Sequence, residues 1–64
     1  MSRVETIRRE AEELAYWQRV ASILGATVTD EWDGQLWCKV ALPSGALLNV
    51  TQELAEILLG LVVR

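Results

Sequence analysis

One cysteine and no histidine among 64 residues constrain this chain more than any other feature of its sequence. A domain of this size buries only about 60% of the surface that its unfolded chain exposes, so its core alone is marginal. Very small folds are usually supported by disulfides, by a metal or by another subunit. Here an intramolecular disulfide is impossible, and a Cys/His zinc site lacks its ligands. We therefore expect a single domain, residues 1–64, that is supported by self-association, most simply as a homodimer.

Composition and charge disfavour several classes of function. Nine acidic residues outnumber six basic ones, which gives a formal net charge of −3. A nucleic-acid-binding surface needs a basic face for its phosphate contacts, and this balance opposes one. No apolar run reaches the ~18 residues that span a bilayer. Charges at Arg3, Glu5 and Arg8 interrupt the first apolar positions, where a signal peptide would be apolar. The sequence predicts an acidic, cytoplasmic protein without a membrane segment.

A first helix is predicted over residues 3–24. Ser2 followed by Glu5 is a capping box, and Gly25 is a natural helix stop in the left-handed conformation. The first half of the helix carries a narrow apolar stripe at helical spacing: Val4, Ile7, Ala11 and Leu14. The second half presents its apolar residues on nearly the opposite side. We therefore expect the second half to contact something besides the core of its own subunit.

Three strands are predicted to follow, because the apolar period falls to two. Loops at residues 32–34 and 43–45 separate the strands. These loops set the register by pairing Val28 with Cys38, Ala26 with Val40 and Val40 with Leu48. This register places the apolar residues of the three strands on one face of the sheet, and a slip of one residue would destroy that face. The predicted core face of the sheet consists of Ala26, Val28, Leu36, Cys38, Val40, Leu42, Ala46, Leu48 and Val50.

A second helix is predicted after Thr51, which is a suitable N-cap, with Glu53 in the first turn where the helix dipole favours an anion. Its apolar residues cover more than half of its circumference, so we expect burial on more than one side. Residues 59–64 fit either a continuation of this helix or an extended tail. The element order is α-β-β-β-α. The predicted fold class is α+β, with a three-stranded antiparallel meander packed on one face by two helices.

No arrangement of side chains in the sequence predicts catalysis. A nucleophile needs a base within hydrogen-bond reach, and histidine, the usual base, does not occur in the chain. Cys38 lies on the predicted core face, where a thiol behaves as a small apolar side chain. The acidic residues do not converge, and the stretch from Asp30 to Asp33 lacks the spacing of a calcium loop. We predict a protein that is not an enzyme and has no metal site and no cofactor.

The outer face of the predicted sheet carries apolar residues where a half-solvated face should be polar. In the predicted register Ala41 lies opposite Leu47, and Trp37 and Lys39 share their face. A contiguous group of exposed apolar residues suggests a contact surface. The predicted partner-binding residues are Trp37, Leu47, Ala41, Lys39 and Trp32, the last of these at the tip of the first hairpin.

A second surface is predicted for self-association, because the terminal helix has more apolar residues than one sheet can cover. The predicted oligomer interface comprises Leu54, Ile57, Leu58, Leu59, Leu61, Val62, Trp17, Val20 and Leu24. The sequence thus favours a non-enzymatic, homo-oligomeric protein-binding module of the adaptor or inhibitor type, whose partner is another protein. Two alternatives stay open. One is an acidic protein that blocks a basic nucleic-acid-binding surface of a target. The other is a dimeric nucleic-acid binder that aligns Arg3, Arg8 and Arg9 of helix 1 from two chains.

Overall fold

The computed structural model describes residues 3–62 and has the predicted element order. The elements are α1 (Arg3–Ile23), β1 (Thr27–Asp33), β2 (Trp37–Ala41), β3 (Leu47–Thr51) and α2 (Gln52–Val62). The three strands form an antiparallel sheet in the order β1-β2-β3. This architecture confirms the predicted α+β class and its α-β-β-β-α order. The predicted capping residue Ser2 and the side chain of Glu5 lie outside the described part of the chain.

The core lies between the sheet and both helices, on one face of the sheet. α1 packs mainly on β1, and α2 packs on β3 and against α1. Half-buried apolar side chains of both helices, β1 and β3 surround the centre of the core. The buried residues at that centre are Trp17, Val20, Ala21, Cys38, Val40, Val50 and Ala55.

Both helices are capped at the ends that the sequence predicted. Gly25 has φ 68°, and its N–H donates to the Ser22 carbonyl at 3.1 Å. The Ala26 N–H donates to the Ala21 carbonyl at 2.8 Å, which completes the bond pattern of a Schellman motif. At the start of α2, the Leu54 N–H donates to the Thr51 hydroxyl at 3.4 Å. α2 then continues to Val62, so residues 59–62 are helical.

The two hairpins differ in how well the sequence predicted their register. The second is as predicted, with Val40 opposite Leu48. The first was predicted wrongly, because Val28 lies opposite Val40 and Trp32 lies opposite Cys38. β1 passes a bulge between Val28 and Trp32, where it uses two more residues than β2 does. A shift by an even number of residues preserves the inward and outward sides of a strand. Most of the predicted core face is therefore confirmed: Ala26, Val28, Cys38, Val40, Leu48 and Val50. Ala46, also predicted there, is exposed.

Two residues near the first hairpin lie elsewhere than predicted. The Leu36 N–H donates to the Asp33 carbonyl at 2.9 Å, and Gly34 has φ 54°. The turn therefore starts at Asp33 and contains Leu36, whose side chain is 62% exposed and not part of the core face. Trp32 belongs to β1 and packs against the core. The predicted place of Trp32 at the hairpin tip was therefore wrong.

The second half of α1 packs in the core and the first half is exposed, which is the opposite of the prediction. Trp17 and Val20, predicted for the oligomer interface, have no exposed surface. By contrast Val4 and Ile7 are 66% and 64% exposed. A helix of 21 residues is about 31 Å long, whereas the longest strand, with seven residues, spans about 23 Å. The first half of α1 therefore extends beyond the sheet, and the second half covers it.

Candidate protein-binding surface

The outer face of the sheet is the side turned away from both helices. On β2 and β3 it comprises Trp37 opposite Thr51, Lys39 opposite Asn49, and Ala41 opposite Leu47. None of these side chains takes part in the core cluster, to which both helices contribute. Trp37 and Ala41 are half-buried among their neighbours, and Leu47 is 61% exposed. The structure thus brings together four of the five predicted partner-binding residues: Trp37, Lys39, Ala41 and Leu47.

Trp32, the fifth predicted partner-binding residue, lies apart from this group. It pairs with Cys38, whose side chain is buried in the core. Because paired residues of adjacent strands point to the same side of a sheet, Trp32 faces inward while Trp37 faces outward. The structure therefore removes Trp32 from the proposed outer surface.

A charged pair lies across the middle of the outer face. The Lys39 Nζ atom is 2.8 Å from the Glu31 Oε2 atom, and both side chains remain partly exposed. Such a surface ion pair stabilises a fold by only about 0–1 kcal/mol. The position of this ion pair is more informative than its energy. The pair holds the Lys39 side chain over β1, between the outward-facing side chains of Trp37 and Ala41.

Thr29 organises the bulge that brings Glu31 to Lys39, a role that the apolar pattern of the sequence did not predict. The Thr29 hydroxyl donates to the Lys39 carbonyl at 2.6 Å and accepts the Glu31 N–H at 3.2 Å. The bulge displaces the backbone donor that would normally meet this carbonyl, so the hydroxyl takes its place. A threonine whose oxygen accepts from the N–H two residues later is a common local motif, and Thr-Asp-Glu at 29–31 is a sequence signal for it.

The hairpin that carries the outer face is attached to α1 by a buried tryptophan. The Trp17 Nε1–H donates to the Gly34 carbonyl at 2.7 Å. A buried indole usually finds such a partner, because an unsatisfied N–H is costly in the core. The Tyr16 ring meets the Trp17 ring edge-on, with centroids 5.0 Å apart. Trp17 therefore serves the fold, by fixing the β1–β2 loop on the helix.

The predicted oligomer residues of α2 fall into two groups. Leu54, Leu58 and Leu59 are half-buried and pack against the core. Ile57 and Leu61 are each 60% exposed, and Val62 is 62% exposed. Leu24, the remaining residue predicted on α1, is also half-buried against the core. The apolar surface that remains free is therefore on α2.

A groove of about 420 Å³ lies between α1 and the bulged strand β1. Its lining is mixed, with one carboxylate from Asp30: Leu14, Gln18, Ala21, Ala26, Thr27, Val28, Thr29, Asp30 and Trp32. Among the side chains that the structure describes, no group of three or more His, Cys, Asp or Glu is placed to hold a metal ion. Burial raises the pKa of the Cys38 thiol, which opposes formation of a reactive thiolate.

Comparisons with known proteins were made against family models, curated proteins and solved structures, and none of the three found a match. Neither helix, over the residues described, is long and apolar enough to cross a membrane.

Proposed function

We propose that this chain is a non-enzymatic, homo-oligomeric protein-binding module that holds another protein on the outer face of its sheet. One observation carries this proposal: Trp37, Ala41 and Leu47 share a face of the sheet that neither helix covers. We further propose that it acts in the cytoplasm, where a single free thiol such as that of Cys38 stays reduced.

The composition of the outer face fits a contact surface better than a solvated one. The open face of a two-layer α+β fold is normally polar, and contiguous apolar groups on it mark interaction sites. Tryptophan is enriched among the residues that dominate binding energy, especially near the centre of an interface. Trp37 is on the central strand β2, and the Lys39–Glu31 pair beside it supplies charges that can orient a partner.

The test is the variant Trp37→Ala, compared with the parent protein for binding to a partner first recovered from the native host and then purified. The expected loss is at least about 2 kcal/mol, or roughly a 30-fold rise in Kd. The free energy of unfolding should fall much less than the about 3–5 kcal/mol that a buried tryptophan costs, because Trp37 does not belong to the core cluster.

A matched pair of leucines provides the control. Leu47 is 61% exposed on the outer face, and Leu36 is 62% exposed in the β1–β2 turn. Leu47→Ala should weaken binding, whereas Leu36→Ala should leave it unchanged. Normal binding by Trp37→Ala, or equal effects of the two leucine variants, would contradict the proposal.

A further inference from the structure

The edge of the sheet formed by β3 presents regular backbone groups to solvent. The Leu42 N–H donates to the Ala46 carbonyl at 2.8 Å, and the Gln52 N–H donates to the Leu36 carbonyl at 2.9 Å. In an antiparallel pair, alternate residues bond to the neighbouring strand. The residues at 46, 48, 50 and 52 therefore direct their backbone groups to β2. The residues between them direct theirs outward: Leu47 and Asn49 with both groups, and Thr51 with its N–H.

The two edges of the sheet differ in their protection against pairing. β1 has a bulge between Val28 and Trp32 and exposed acids at Asp30, Glu31 and Asp33. Bulges and charges are the usual devices that keep an edge strand from pairing with another chain. β3, with the sequence Leu-Leu-Asn-Val-Thr, has no charged residue and pairs with β2 without a bulge. The chain therefore blocks one edge and leaves the other available.

An apolar stripe of α2 accompanies the available edge. Leu54, Ile57 and Leu61, named here the α2 flank, recur at helical spacing on one side of the helix. Glu56 is on the side that faces α1, because its carboxylate contributes to the raised pKa of Tyr16 on that helix. The flank is turned about 130° away from Glu56 at 100° per residue. Since α1 packs on β1 and α2 on β3, the flank lies on the β3 side of the molecule.

We propose that a second copy of this chain docks on this side, with the two β3 strands paired antiparallel about a two-fold axis through Asn49. The backbone groups of Asn49 then pair with those of Asn49 of the partner subunit. The Thr51 N–H donates to the carbonyl of Leu47 of the partner subunit, and the reverse bond follows from symmetry. The two α2 flanks pack against each other over the new sheet. This inference rests on the homo-oligomeric part of the proposed function.

The chemistry at the axis favours a second copy over another partner strand. A two-fold contact requires a surface that is complementary to itself, and the outward positions 47, 49 and 51 are symmetric about 49. The residue on the axis meets its own copy. Asn49 suits this position because an amide both donates and accepts hydrogen bonds, whereas a charged side chain would be repelled by its copy.

The dimer also extends the outer face. Trp37 lies opposite Thr51, and Ala41 lies opposite Leu47. In the six-stranded sheet, Thr51 would lie opposite Leu47 of the partner subunit. A line of cross-strand neighbours on the outer face would then run from Trp37 through Thr51 to Leu47 of the partner subunit and Ala41 of the partner subunit. A stable interface buries about 800 Å² per subunit, which is about one sixth of the 4766 Å² surface of this chain. The proposed dimer would also double the partner-binding face.

The first test compares two isoleucines of similar exposure on the two helices. Ile57 is 60% exposed on the α2 flank, and Ile7 is 64% exposed on the free half of α1. In sedimentation equilibrium at about 100 µM, the parent and Ile7→Asp should both have twice the 7.2 kDa mass of the chain. Ile57→Asp should raise the dimer Kd by at least about 30-fold and keep its circular dichroism spectrum.

The second test identifies the strand pairing itself. Directly opposed residues of a hydrogen-bonded antiparallel pair have Cα atoms about 5.5 Å apart, within the range of about 4.4–6.8 Å for a disulfide. Asn49→Cys should therefore form a disulfide-linked dimer on mild oxidation. Leu47→Cys should not, because its copy would be more than about 13 Å away along the strands. The parent protein, whose one thiol at Cys38 is buried, is the negative control.

The outcomes separate this inference from the proposed function. Cross-linking through position 49 but not 47, together with dissociation by Ile57→Asp, supports the β3 dimer. A dimer that cross-links at neither position, or that Ile7→Asp dissociates, overturns this interface and leaves self-association standing. A parent protein that is monomeric at about 100 µM overturns both this inference and the homo-oligomeric part of the proposal. Partner binding is then judged by Trp37→Ala alone.

Discussion

Thr29→Val should destabilise the protein although it removes only one hydroxyl group. Valine has the shape and the β-branching of threonine, so strand propensity and packing change little. The hydroxyl makes two hydrogen bonds, one to the Lys39 carbonyl at 2.6 Å and one from the Glu31 N–H at 3.2 Å. The variant leaves a carbonyl and an amide of the bulge without these partners.

The expected cost follows from those two bonds. A neutral hydrogen bond contributes about 0.5–1.5 kcal/mol net, and a buried group left without its partner costs about 1–3 kcal/mol. Because Thr29 is only half-buried, water can replace part of the loss, and we expect about 1–2 kcal/mol. For a domain of this size, Tm should fall by at least about 4 °C. Urea unfolding followed by tryptophan fluorescence, at a fixed protein concentration, measures the change.

Two variants serve as controls, one that keeps the hydroxyl at position 29 and one that makes the same substitution elsewhere on β1. Thr29→Ser retains the hydroxyl and should lose less stability than Thr29→Val. Thr27→Val makes the same substitution on the same strand at an exposed position, where no side-chain hydrogen bond occurs among the described residues, and should be nearly neutral. If Thr29→Val is as stable as Thr27→Val, the hydroxyl does not hold the bulge.

Two further predictions concern buried groups. Trp17→Phe removes the 2.7 Å hydrogen bond to the Gly34 carbonyl and should cost about 1–3 kcal/mol, measured by urea unfolding with Trp17→Ala as the more severe comparison. Burial raises the pKa of Cys38 above 9.0, and burial followed by the nearby Glu56 carboxylate raises the pKa of Tyr16 above 10.0. The folded state therefore favours both protonated forms, so their stabilisation is complete below about pH 9 and is lost as pH rises through the folded pKa values. Unfolding by urea at about pH 8 and about pH 10.5 should show this loss, and stability that rises with pH would contradict it.

The fold was predictable from the sequence because its determinants are local. Gly25 ends α1, Thr51 caps α2, and the alternation of apolar residues separates the two faces of the sheet. The first hairpin was mispredicted because its register depends on a bulge. Nothing in the apolar pattern reveals two extra residues in β1, since an even insertion preserves the alternation. The signal was instead the side chain of Thr29, which supplies the hydrogen bond that the bulge removes.

The candidate site was predictable only where strand alternation decides the face. The outward direction of three side chains was predicted correctly: Trp37, Ala41 and Leu47. They alternate along β2 and β3 with residues whose side chains point into the core. The side of α1 that meets the sheet could not be derived in this way. Both halves of that helix carry apolar residues, and which half packs depends on how far a helix of 21 residues extends beyond the short strands. Trp17 was therefore assigned to an interface, although it is the centre of the core.

The three tryptophans show why composition alone cannot locate a binding surface in so small a chain. Trp17 is buried and bonded to the Gly34 carbonyl, so its loss must be felt by the fold. Trp32 faces inward beside the groove between α1 and β1, because it is paired with Cys38. Trp37 is one residue away from Cys38 on β2 and therefore points to the other side of the sheet. Of the three, Trp37 is the one on the face that neither helix covers, and the proposed function therefore depends on it.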